Sequence, residues 1–232
     1  MKLKHITFTG IDGHTDLGAL WGIQQNYPMV EWGVLVAKNW KDNGNRYFNP
    51  SYLDSLENHG LNLSAHLCGS IARSAVRGDI EPFRKWARGY GDIFHRCQLN
   101  VATSPNNPMS FDYSGEICNY FDEVILQQKS AHEIPLFINC KVSRHITCLL
   151  DASGGQGIDT PIEILNLPHK IGYAGGINID NVADKLSYLL ESEDGDDFWI
   201  DMESGVRTDD WFDINKVVEV LKICSDVLKQ YK

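Results

Sequence analysis

The chain has 232 residues, with 21 basic and 31 acidic side chains and a formal charge of −10. This length suits one substantial core, either a single α/β barrel or two small domains. The acidic balance argues against a general nucleic-acid binder and against a protein drawn to anionic membrane surfaces. A local anion site stays compatible with it, because backbone amides do not enter a charge count.

Lys2 and Lys4 are not followed by a long apolar segment, so no secretory-signal pattern is present, and no apolar run approaches the length of a membrane span. The six cysteines (Cys68, Cys97, Cys118, Cys140, Cys148 and Cys224) include no pair at CxxC spacing, and several lie inside apolar runs. Free, buried thiols in a reducing cytoplasm are the expectation, with no metal site and no cofactor.

In chain order, residues 6–10 read as a short strand ending at Gly10, and 11–14 as a loop. Thr15 or Asp16 can cap a helix through about residue 25, with Leu17, Leu20 and Trp21 on one side. A strand over 31–37 is followed by a polar loop over 38–48, and Asn49-Pro50 opens a helix by the proline-at-first-turn rule. Residues 61–67 form a third strand, and 70–88 one or two helices broken near Asp79 and Pro82. A fourth strand spans 94–101, a turn-rich loop 103–108 and a helix about 113–121.

A fifth strand spans 123–128. Residues 131–144 stay ambiguous between strand and helix, because Pro135 interrupts them. A buried-strand pattern over 145–151, a short helix over 162–167, a strand over 170–174 and a helix over 181–190 follow. Residues 191–197 form an acidic turn, 198–201 the last strand and 214–231 the final helix. Eight strands that alternate with helical segments, without a linker, favour a closed (β/α)₈ barrel, a TIM barrel in a single domain spanning 1–232. In such a barrel the site lies at the carboxyl ends of the strands, where Thr9, Arg46, Asn100, Asp151 and Ser204 fall.

The stretch Ile171-Gly172-Tyr173-Ala174-Gly175-Gly176-Ile177-Asn178 stands out, since an apolar run that ends in paired glycines before a helix is suited to a phosphate. Similar strand ends are Leu149-Leu150-Asp151-Ala152-Ser153-Gly154-Gly155-Gln156-Gly157 and Asp201-Met202-Glu203-Ser204-Gly205-Val206.

Taken with Thr7-Phe8-Thr9-Gly10, Asn45-Arg46-Tyr47 and Gln98-Leu99, these stretches occur in the order and spacing of a known family. The chain resembles a divergent phosphoribosylanthranilate isomerase over most of its length. The resemblance implies an Amadori rearrangement of a phosphoribosyl-amine, as in tryptophan biosynthesis, with a small phosphorylated substrate and either a monomer or a homodimer. It implies that Asp151 is the general acid and that Arg46 contacts the aryl carboxylate, with Gln98 and Asn100 beside the substrate. Gly155, Gly157, Gly175, Gly176, Ser204 and Gly205 would hold the phosphate.

The family's general base is a cysteine in the first strand motif, where this chain has Thr9. The histidine that usually follows Gln-Leu at strand four is replaced by Asn100. A thiol with a pKa near ~8.5 can act as a base near neutrality, whereas a threonine hydroxyl needs a partner. Asp12 and His14 in the following loop are the candidate substitutes, and Thr9 is either a pocket wall or the holder of a water. Asp151 reads either as the acid or as a carboxylate that caps the glycine turn, and Arg46 either as a carboxylate clamp or as a solvated loop residue. His66 and His145 read as core or rim histidines, Asp159, Asp209 and Asp210 as loop solvation or helix-start charges, and the tryptophans as packing. The alternatives to the isomerase are a repurposed, non-catalytic barrel binding a phosphorylated ligand and another phosphosugar isomerase.

Overall fold

Eight parallel strands close into a barrel in chain order, each hydrogen-bonded to the next and the last to the first. They are β1 (Leu3–Thr9), β2 (Val30–Val36), β3 (Leu63–Leu67), β4 (Arg96–Leu99), β5 (Glu123–Gln128), β6 (Ile146–Asp151), β7 (Ile171–Ala174) and β8 (Phe198–Met202). The computed structural model describes residues 2–38, 44–101, 116–130, 145–165, 170–192 and 197–231. The expected (β/α)₈ architecture is present. The seam closes through β1 and β8 in parallel register, with Thr7 opposite Asp201 and Phe8 opposite Met202.

Among the described residues, the α-helices outside the barrel are α1 (Leu17–Asn26), α2 (Gly69–Val76), α3 (Glu81–Tyr90), α4 (Val182–Glu191) and α5 (Ile214–Gln230). Asp16 caps α1, accepting from the Gly18 and Ala19 amides at 2.9 and 3.1 Å. Leu186 and Leu189 of α4 and Val217, Val220, Leu221 and Cys224 of α5 are buried against the core, as their helical spacing requires. Trp21 is instead 49 % exposed, because it lies about 100° around α1 from the buried Leu20.

Several local expectations are corrected. Residues after Asn49 form two 3₁₀ segments, Pro50–Ser55 and Glu57–His59, rather than an α-helix, with i→i−3 bonds such as Leu56 N to Leu53 O at 2.9 Å. Residues 161–165 are not helical: the Leu165 amide donates to the Tyr173 hydroxyl at 3.3 Å instead of to a helical carbonyl. After β8 the chain makes a hairpin of β9 (Arg207–Thr208) and β10 (Trp211–Phe212), turned by Asp209 and Asp210 at φ 50° and 61°. Asp210 is therefore not a helix-start charge, and Asp213 caps α5 in its place. The loop at 103–108, the ambiguous stretch 131–144, most of the helix expected over 113–121, Trp40, Cys140 and the middle of the acidic turn lie outside the described residues. The five described cysteines are free, and no described helix is long and apolar enough to cross a membrane.

The inside of the barrel is filled in tiers. At the amino ends of the strands Arg96 bridges Glu31 (2.8 Å) and Glu123 (3.0 Å), and Lys170 pairs with Glu123 at 2.5 Å. Thr7 and Thr147 donate hydroxyls to the same two glutamates. Burial alone would raise Glu123, but Arg96 and Lys170 outweigh it and hold the carboxyl at about 2. Above them a small apolar cluster of Ile125, Leu149 and Trp199 plugs the centre, with the Arg96 guanidinium 4.5 Å from the indole centroid. Gly172 makes room for that plug: a Cβ there would strike the Trp199 ring. The tier at the carboxyl ends is polar and open.

Candidate active site

That upper tier encloses a cavity of about 140 Å³. Thr9 of β1, His66 of β3, Gln98 of β4, Gln127 of β5, Asp151 of β6, Ala174 of β7 and Asp201 of β8 all line it, with Arg46, Asn100 and the loops after β6, β7 and β8. Alternate residues of a strand share a face, so Leu149 and Asp151, or Trp199 and Asp201, place one member in the plug and the next in the cavity.

Asp151 ends β6 and meets four donors. Its Oδ1 accepts from the Ser153 amide (3.1 Å) and hydroxyl (2.7 Å), and its Oδ2 from the Gly155 amide (2.6 Å) and Gln127 Nε2 (2.7 Å). The capping arrangement is thus present, in a carboxylate that also faces the cavity. Of the four donors only the Ser153 hydroxyl can rotate to accept instead, which leaves one position where Asp151 can carry a proton.

Thr9, at the end of β1, is not a bare wall. Its hydroxyl donates to Asp201 Oδ1 at 2.7 Å and lies 3.5 Å from His66 Nδ1, while Asp201 Oδ2 is 4.0 Å from the same nitrogen. Gly33 on β2 leaves space for it, since a Cβ there would strike Thr9 Oγ1. Burial pushes Asp201 up to about 8. The Thr9 hydrogen bond opposes this, while the charges of Glu31, Glu203 and Asp151 add to it. Burial also drives His66 down to about 4, so its ring is neutral.

Asp201, His66, Gln127 and Glu203 are members of the site that sequence reasoning did not assign. The signal was available: Asp201 is the one charged residue in the apolar run Phe198-Trp199-Ile200-Asp201-Met202, and it stands toward the carboxyl end of the strand, where a barrel's site lies.

Asp12 and His14 fall elsewhere. Asp12 is buried and accepts from the His14 amide (3.0 Å), the Thr15 hydroxyl (3.1 Å) and the Phe212 amide (2.8 Å), with Arg207 at 3.5 Å. It anchors the β1–α1 loop to the hairpin and does not line the cavity. His14 packs edge-on against Trp211, with centroids 4.3 Å apart. Arg46 does line the cavity, but its guanidinium is engaged by Glu203 (2.9 Å) and Asp210 (2.7 Å). Burial raises Glu203, and Arg46 and Arg207 oppose that rise. Gln98 donates to Asn100 at 2.8 Å, and Asn100 donates to Cys68 Sγ at 3.3 Å.

The glycine-rich loops interlock. Gly155, Gly157, Gly175, Gly176 and Ser204 line the cavity, and Gly205 packs beside it on Ile177 and Asn178. Gly176 has φ 65° and abuts the backbone of Ile158 and Asp159, a fit that only a residue without a Cβ permits. Asn178 and Asn181 donate side-chain amides to the Gly176 carbonyl at 3.1 and 3.0 Å, tying the turn to the start of α4. Among the described residues no group of three His, Cys, Asp or Glu side chains is placed to hold a metal.

No protein-family model matches the chain, and no curated protein matches it in sequence. Solved structures do match in fold. Phosphoribosylanthranilate isomerase from Thermus thermophilus superposes with a TM-score of 0.61 at 15% identity, covering 96% of this chain and 99% of that one. The enzyme from Pyrococcus furiosus gives 0.58 at 16% identity, covering 96% and 98%. That from Thermococcus kodakaraensis gives 0.57 at 12% identity, covering 95% and 98%. The resemblance carried by the strand-end motifs is therefore matched by the whole barrel: in fold, this chain is similar to the phosphoribosylanthranilate isomerases from end to end.

Proposed function

We propose that the protein is a phosphosugar-amine isomerase of the phosphoribosylanthranilate isomerase type, working through Asp151 and Asp201. One observation carries this reading: a carboxyl pushed up to about 8 and hydrogen-bonded by Thr9 sits in the same cavity as Asp151. A carboxylate of that basicity matches a thiol of pKa about 8.5, so the loss of the strand-one cysteine does not remove the base.

In the first step the Asp151 carboxyl protonates the ring oxygen. The C1–O bond breaks, and the nitrogen lone pair forms a C1=N bond. In the second, the Asp201 carboxylate takes the proton from C2, the C–H electrons form C1=C2, and the C=N pair returns to nitrogen. The enolamine then tautomerises to the 2-ketone. The phosphate would lie against the backbone around Gly157, Gly175, Gly176, Ser204 and Gly205, where the positive end of α4 is near. The free cysteines suit a reducing, cytoplasmic setting.

Turnover of N-(5-phosphoribosyl)amines, the anthranilate included, tests the reading. The expected result is isomerisation that Asp151→Asn and Asp201→Asn each reduce by about 100- to 10,000-fold. Absence of turnover with every amine in the set, at micromolar protein, would remove the isomerase and leave a ligand-binding barrel.

A further inference from the structure

We infer that the substrate carries an uncharged substituent on its nitrogen in place of an aryl carboxylate, and that its hydroxyls reach His66 and Gln98 in the deep end of the cavity. The inference rests on the isomerase reading and narrows its substrate class.

Two observations carry it. The first is that the cation is already taken. Arg46 is the one lysine or arginine among the described residues lining the cavity, and Glu203 and Asp210 occupy its fork from two sides. The second Asp210 contact, to Nε at 3.2 Å, fixes the plane of the guanidinium. The same cavity holds the carboxyl groups of Asp151, Asp201 and Glu203. An incoming carboxylate would thus meet a cation already neutralised by Glu203 and Asp210, with no second cation among the described lining residues to pair with it. Arg207, the next guanidinium, is buried and donates to the Gly10 and Asp210 carbonyls, so it supplies no substitute.

The second observation is what the deep end lacks. His66 Nε2 and Gln98 Oε1 are buried atoms without a hydrogen-bond partner, both on residues that line the cavity. Donation of Gln98 Nε2 to Asn100 turns the amide oxygen inward as an acceptor. A buried acceptor left unpaired costs roughly 1–3 kcal/mol, so the site is complete only when a ligand donor reaches it. A hydroxyl or an N–H group satisfies Gln98 Oε1, and a carboxylate cannot.

The test compares two stable product analogues, 1-anilino-1-deoxyribulose 5-phosphate and its 2-carboxyanilino counterpart, by calorimetric titration of the full chain. The uncharged compound is expected to bind at least about tenfold tighter. In Asp210→Asn, where asparagine tolerates the left-handed backbone, Arg46 is partly released and the ratio is expected to fall toward one. Gln98→Leu is expected to weaken both compounds about tenfold and equally.

A carboxylated compound that binds wild type as tightly as the uncharged one, or tighter, overturns the inference and leaves the isomerase reading standing. A ratio unchanged in Asp210→Asn overturns the part given to Arg46, and undiminished affinity in Gln98→Leu overturns the hydroxyl assignment. Binding of neither compound overturns the inference together with the isomerase reading.

Discussion

At the scale of single residues, the proposed chemistry turns on Asp201 and the hydroxyl that touches it. If Asp201 is the base, activity requires its ionised form together with a protonated Asp151, so kcat/KM should follow a bell-shaped profile with one limb centred near 8. Thr9 donates to the charged form and so favours ionisation. Thr9→Val should therefore move that limb to higher pH, by roughly one pH unit, in a kcat/KM profile. Thr9→Cys, which the family comparison would suggest as a gain, removes the same hydroxyl and is expected to act in the same direction.

The sequence made Asp151, Thr9 and the glycine loops legible because each closes a strand pattern. It could not separate Asp12 from Asp201, since a carboxylate near a strand end reads alike as loop anchor or base. Only the Phe212 amide, 200 positions away, identifies Asp12 as the anchor.

Among the elements, β7 and β8 show how the plug supports the site. Trp199 is almost fully buried over Gly172, so its indole depends on the absence of a side chain on the neighbouring strand. Gly172→Ala should destabilise the fold by about 1–3 kcal/mol in denaturant titration, through overpacking. Trp199→Phe in the same chain should recover part of that loss, since it shortens the ring that is struck. If the two effects simply add, the contact is not the cause. Barrel strands and long helices were readable from their periodicity, as β5 and α5 illustrate. The failures lie where long-range partners decide local conformation. The Leu165 amide is captured by Tyr173, and the hairpin β9–β10 is tied to the β1–α1 loop by Arg207 donating to the Gly10 carbonyl and by the Phe212 amide donating to Asp12.

For the whole molecule, the half-buried Glu123 and the buried Asp201 are shifted in opposite directions and contribute to stability with opposite pH dependence. Glu123 is held at about 2, below its ordinary value near 4, so its contribution is present above about 4 and is lost as pH falls through 2. Asp201 is raised to about 8, so the folded state binds this proton more tightly than the unfolded chain does. Its contribution is complete below about 4 and declines as pH rises through 8. Asp201→Asn should therefore leave stability near pH 4 almost unchanged and add about 2–4 kcal/mol at pH 9, read from denaturation midpoints. A gain equal at both pH values would mean that Asp201 is not the titrating group.

The seam between β1 and β8 has a further consequence. Asp151 and Asp201 both belong to strands of the second half of the barrel, while Thr9, His66 and Gln98 belong to the first. On the proposed reading, the reacting carboxyls thus stand on one half-barrel, and the groups set to tune Asp201 and to meet the substrate stand on the other. Substitutions in the first half can reshape substrate preference while the reacting carboxyls of the second are kept.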